Sequence, residues 1–163
     1  MKQVIIVVMS MWMAFSMNAQ IKEQSVVVEC PGYSATELCD FAQEWFNTTN
    51  RDLLSTDRKL NWNNSMFIRM NNVNYNSGKV YGEVEYSFLR GMLQTYVVFF
   101  SLKIETKDGK IKFSMGNGRG YAITRDGKEN VSLKSTDGDD EWALLKADVQ
   151  QFFTSRIKTI NNW

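Results

Sequence analysis

Glu83 and Glu85 stand two residues apart in a run of alternating apolar and polar residues. On a β-strand that spacing puts both carboxylates on one side, about 6.7 Å apart. Two-carboxylate glycoside hydrolysis works at about 5–5.5 Å or 6.5–9.5 Å, so the spacing permits such a pair. The same face, however, carries Arg69, Lys103, Lys110 and Lys112, and cross-strand ion pairing accounts for the glutamates without catalysis. A catalytic acid also needs a raised pKa, and an open strand face supplies no burial to raise it. Ser101 and Lys103 have only the spacing of a Ser-Lys pair, because an exposed lysine stays near about pKa 10.4 and is no base at neutral pH. The run Gly116-Asn-Gly-Arg-Gly120 looks like a phosphate loop, but such loops open a helix. Here it ends a strand with no helical pattern behind it, which makes it a turn or a bulge. Asp137-Gly-Asp-Asp-Glu141 lacks the spacing of a calcium loop and reads as solvated acids at a helix start.

Histidine is absent from the 163 residues. Ser-His-Asp and Cys-His nucleophile systems and His-ligated zinc sites are thereby excluded. Lys plus Arg total 19 and Asp plus Glu 18, so no broad field exists to attract nucleic acid or an anionic membrane. Apolar content of 44% is ample for a packed core. These exclusions point to a protein that is not an enzyme and uses no cofactor and no metal.

The elements that position these residues begin after a targeting segment. Lys2 precedes the 12-residue apolar run Val4 to Phe15, and small and polar residues follow up to Ala19. A spanning helix needs about 20 apolar residues, so this reads as a signal peptide over residues 1–19, with no transmembrane anchor. The expected product is a single domain, residues 20–163, exported to the periplasm or secreted. Export permits Cys30 and Cys39 to pair as a disulfide if their Cα atoms come within roughly 4.4–6.8 Å. The alternative is two small buried hydrophobes.

Ser25 to Cys30 is β-branched and stops at Pro31-Gly32, which predicts a strand and a turn. Ser34-Ala-Thr-Glu37 is a capping box opening a helix with Leu38, Phe41, Ala42, Trp45 and Phe46 on one stripe. Strands are predicted at 65–71, 79–89, 95–106 and 110–115, the last two joined by Asp108-Gly109, a type I′ hairpin signal. Residues 117–139 read as a long polar loop, with at most a short strand at 121–124. A second helix is predicted over 140–160, with Trp142, Leu145, Val149, Phe152, Phe153 and Ile157 on its stripe. The order is β-α-β-β-β-β-α, an α+β class with both helices on one side of an antiparallel sheet.

The segments VVVECPGYSATELCDFAQEWFNTT (26–49) and VVFFSLKIETKDGKIKFSMGN (97–117) resemble a family of small exported proteins of Bacteroidota-type bacteria, catalogued as a domain of unknown function. Its pattern is a strand ending in V-P-G-L-S, an E-L-Y…A-x-E-W-F helix and a strand pair joined by E-x-K-D-G-[KR]. The resemblance implies a curved sheet like one half of the TATA-binding protein. It brings no reaction, ligand or catalytic residue. DNA binding by that fold-mate is analogy only, and the near-neutral charge argues against it.

If both helices cover one sheet face, the other carries Phe67, Arg69, Tyr81, Phe99, Lys103 and Lys112. That set predicts a contact face for an envelope protein, a second copy or an elongated ligand. The favoured reading is an exported, non-enzymatic binding or interaction module. The alternative is a carrier of a small or lipid-like molecule, with Trp45, Phe46, Trp142 and Phe153 lining a cavity between sheet and helices. A two-carboxylate hydrolase using Glu83 and Glu85 is the remote third.

Overall fold

A computed structural model describes residues 22–49, 65–90, 94–134 and 137–160. The proposed signal peptide lies outside the described residues. Six strands and two long helices follow in the order β1 (Gln24–Glu29), α1 (Ala35–Thr48), β2 (Ser65–Asn74), β3 (Lys79–Arg90), β4 (Gln94–Lys107), β5 (Lys110–Thr124), β6 (Gly127–Val131) and α2 (Asp139–Ile160). One 3-10 turn, Tyr75–Ser77, joins β2 to β3. The sheet is antiparallel in the spatial order β1-β5-β4-β3-β2, with β6 also pairing β5. This is the α+β architecture expected, with one strand more.

The extra strand corrects the predicted loop. β5 does not stop at Met115 but continues to Thr124, and Arg125 and Asp126 turn it into β6. The glycine run Gly116–Gly120 sits inside the strand as a β-bulge. Register passes from Ser101↔Gly116 to Phe99↔Arg119, so two β5 residues oppose Phe100, and Asn117 takes a positive φ of 50°. One inserted residue reverses the alternation of faces. Ile111, Phe113 and Met115 face the helices before the bulge, whereas Gly120 and Ala122, opposite Val98 and Tyr96, do so after it.

Both helices bury their stripes against one face. Leu38, Ala42, Trp45 and Phe46 of α1 join Leu145, Val149 and Phe153 of α2 in one core with Val80, Val84, Phe100, Leu102, Ile104, Ile111 and Phe113. α1 crosses β2 to β5, and α2 lies over β1 and β5. The Trp45 indole N–H donates to Asp148 Oδ2 at 2.7 Å, tying helix to helix. The capping box forms as expected. Ser34 Oγ accepts from Glu37 N at 3.3 Å, and Ser34 N donates to Glu37 Oε2 at 2.8 Å. The Ser34 backbone N–H first, and then the Ser34 hydroxyl donating to the same Glu37 Oε2 at 2.7 Å, hold the Glu37 carboxyl below its ordinary pKa.

Cys30 and Cys39 do not form a disulfide. Each is a buried free thiol, Cys30 directly after β1 and Cys39 on the packed stripe of α1, and Cys30 Sγ donates to the Val28 carbonyl at 3.6 Å. Burial, then the charge of Glu29, pushes the Cys30 thiol up to about 11. Trp45, Phe46, Trp142 and Phe153, expected to line a cavity, instead pack into or against the core. Trp45, Phe46 and Phe153 are at most 1% exposed, and Trp142 stacks on Phe113 with centroids 5.4 Å apart. They fill the core because a domain of this size needs its large aromatics there.

Candidate functional site

The sheet face opposite the helices is built in cross-strand rows. Phe67, Glu85, Phe99 and Arg119 are direct neighbours across β2, β3, β4 and β5. The next row holds Arg69, Glu83, Ser101 and Gly116. Beyond it come Tyr81, Lys103 and Ser114, then Lys79, Glu105 and Lys112. On the other side lie Ser65, Ser87, Val97, Tyr121 and Asn130. All six residues assigned from sequence to the contact face (Phe67, Arg69, Tyr81, Phe99, Lys103 and Lys112) therefore share it.

Glu83 and Glu85 are the hub of this surface. Arg69 reaches Glu85 Oε2 at 2.9 Å and Glu83 Oε1 at 4.0 Å, and Arg119 bonds Glu83 Oε2. Each arginine also covers a ring. The Arg69 guanidinium lies 5.7 Å from the Phe67 centroid and that of Arg119 5.0 Å from Phe99. Phe99 in turn meets Tyr121 at 5.8 Å, and Lys128 Nζ sits 3.5 Å from the Tyr121 centroid. A connected chain of cations, carboxylates and rings so runs from β2 to β6. Phe67 stays 49% exposed and Tyr81 37%. The apolar residues are interrupted by ion pairs rather than merged into one greasy patch.

Toward the Asp108–Gly109 turn the face becomes lysine-rich. Lys103 Nζ lies 3.2 Å from Glu105 and 3.9 Å from Glu23, and Lys79 is 3.6 Å from Glu105. Burial works to raise the Glu105 carboxyl. The hydrogen bond from Lys103 and the charges of Lys103, Lys79 and Lys112 outweigh it, and the pKa lies below the ordinary 4.5. Lys103 is thus bound to carboxylates, not poised beside Ser101. Asp137 and Asp139 accept from the Lys134 amide at 2.6 Å and from the Gln24 side-chain amide at 2.7 Å. Among the described residues no group of three His, Cys, Asp or Glu is placed to hold a metal ion.

Arg119, Tyr121 and Lys128 were missed because residues 117–139 read as a loop. A signal was available in Asp126-Gly127, the same dipeptide that marks the preceding hairpin. Also missed is a cleft on the helix face, over Tyr86, Phe88 and Tyr96.

An antiparallel sheet with both long helices packed on one face is an α+β fold. The chain belongs to the family described as a domain of unknown function (DUF4468) with TBP-like fold, whose model matches residues 24–119. Among solved structures it is similar to a DUF4468 family protein from Bacteroides ovatus ATCC 8483. Identity there is 14% over 85% of this chain and 83% of the other, with a TM-score of 0.48. It is also similar to a TBP-like protein from Parabacteroides distasonis ATCC 8503, at 13% identity over 89% and 88%, with a TM-score of 0.50. No curated protein matches the sequence. No helix among the described residues is long and apolar enough to cross a membrane.

Proposed function

We infer that this chain is an exported, non-enzymatic interaction module, periplasmic or secreted, which docks an envelope protein or a second copy of itself on the sheet face opposite α1 and α2. One observation carries the reading. Phe67, Arg69, Phe99, Arg119 and Tyr121 form a connected surface with Tyr81 beside it, while both helices lie on the other face. Aromatic residues and arginine are the types enriched in interface cores and among residues that dominate binding energy. Arginines already held by Glu83 and Glu85 lose little freedom when a partner arrives. The interleaved signs favour a protein surface over a polyphosphate backbone, which needs unopposed cations. Glu83 and Glu85 serve here as ion-pair anchors, which supports a non-enzymatic role.

The experiment is capture from envelope extract by tagged residues 20–163, alongside sedimentation of the pure protein. Wild type is expected to retain a partner or self-associate, and Phe67→Asp with Tyr81→Asp to lose that species at an unchanged melting temperature. If every captured species and the oligomeric state survive the double substitution, the reading fails.

A further inference from the structure

A second site lies on the helix face, at the end of the sheet away from the Asp108–Gly109 turn. There a cleft of about 590 Å³ opens over Tyr86, Phe88, Tyr96 and Val98, walled by residues 131–134 and the first turn of α2. Its floor is a ring stack. Tyr86 and Phe88 have centroids 5.3 Å apart, and Phe88 and Tyr96, direct cross-strand partners, 5.4 Å. The wall comes in close because glycines let it. A Cβ on Gly138, whose φ is +100°, would stand 2.7 Å from the Phe100 ring, and one on Gly120 3.2 Å from Leu133. Small-molecule sites are clefts of about 300–1,000 Å³, mostly apolar, with a few polar groups at one side.

We propose that this cleft binds a small amphiphile, its apolar chain or ring on the stacked aromatics and a positively charged head at the rim. The cavity and its ring floor argue for an apolar ligand, and the rim selects the head. The hydrogen bonds that Asp137 and Asp139 accept among the described residues come from neutral amide donors, so those bonds do not cancel their charges. One basic residue, Lys134, also belongs to the lining. The positive end of α2 adds about half a charge, which does not outweigh the remainder. Asp140 and Glu141, which already have partners, are not needed for this sign. An anionic head would be repelled by the net negative charge that remains at the rim. The inference stands apart from the open-face reading, since it concerns the opposite side of the sheet.

Calorimetric titration of the purified protein with decylammonium, decanol and decanoate, each below its micellar concentration, tests it. Decylammonium is expected to bind saturably at one per chain, with decanoate at least ten-fold weaker. Phe88→Ser and Tyr96→Ser should each weaken decylammonium at least ten-fold, Asp139→Asn should narrow its advantage over decanoate, and Phe67→Asp on the other face should change nothing. Amide chemical shifts of the wild type should move at Phe88, Tyr96 and Leu133, a readout that holds should either serine variant fail to fold. No saturable binding, equal affinity for the three head groups, or shifts clustered elsewhere would overturn the proposal.

Discussion

The carboxylate of Asp108, in the turn between β4 and β5, accepts the backbone N–H of Ala35, the first residue of α1, at 2.8 Å. The neighbouring Gly109 donates its N–H to the Tyr33 carbonyl at 2.8 Å and accepts from Cys30 N at 2.7 Å. Thr106 Oγ1 adds a bond to the Ala35 carbonyl at 2.9 Å. The two segments that carry the family resemblance thus close on one another, hairpin turn against helix start. Asp108 acts as a second, long-range cap beside Ser34. Asp108→Ala should cost about 1 kcal/mol, as loss of a cap does, whereas Asp108→Asn keeps an acceptor and a favoured turn residue and should stay within a few tenths. Urea unfolding of both variants decides, and equal losses would remove the capping role.

Gly82 lies under α1, and its missing side chain is what lets the helix approach. A Cβ there would stand 2.2 Å from the Phe46 ring and 2.6 Å from the Arg69 carbonyl. Phe46 is 1% exposed and has nowhere to retreat. Gly82→Ala should therefore destabilise by about 3 kcal/mol through overpacking, and Gly82→Ala with Phe46→Leu should recover part of it. Additive losses in thermal unfolding would show that the two positions do not collide.

Gly82 also illustrates what the sequence hides. Alternation revealed Val80, Val84 and Tyr86 as inward, and the helix stripes were legible because a single face of each is apolar. The open face followed from those two patterns, which is why Phe67, Arg69, Tyr81, Phe99, Lys103 and Lys112 land together. What defeats pattern reading is a change of period. The extra residue at the bulge near Asn117 flips the parity of β5, so Tyr121 and Ile123 point where Ile111 and Met115 do not. Polar composition then made a real hairpin look like a loop, and Arg119, partner of Glu83, dropped out of the candidate surface. The fate of Cys30 and Cys39 was not legible either, since pairing depends on side-chain direction across a turn and not on spacing.

The buried thiols yield a pH-dependent expectation. Burial first, then Glu29, places the folded Cys30 pKa at about 11 against an ordinary 9.0, and burial with the charge of Asp40 raises Cys39. A raised pKa on a group that is neutral when protonated adds stability that is complete below pH 9.0 and lost as pH climbs through about 11. Cys30→Ala should flatten that alkaline limb. In the native wild type at about pH 8, a disulfide-exchange reagent should modify the thiols no faster than the protein opens, because the thiolate is the nucleophile. Stoichiometric labelling within seconds, without denaturant, would contradict this burial.

Glu105 works at the opposite end of the scale. Lys103 at 3.2 Å and Lys79 at 3.6 Å overcome its burial and hold its pKa below 4.5. A depressed carboxylate pKa adds stability that is present above the ordinary value and lost as pH falls through the folded one, since the unfolded chain takes up the proton first. Glu105→Gln should be less stable than wild type at about pH 7, with the two urea midpoints converging as pH falls below the ordinary 4.5. The pair is part-exposed, so solvent screening limits the gap to about 1 kcal/mol or less, and added salt should narrow it. A gap that persists unchanged in acid would mean that Glu105 contributes through packing of its stem and not through its charge.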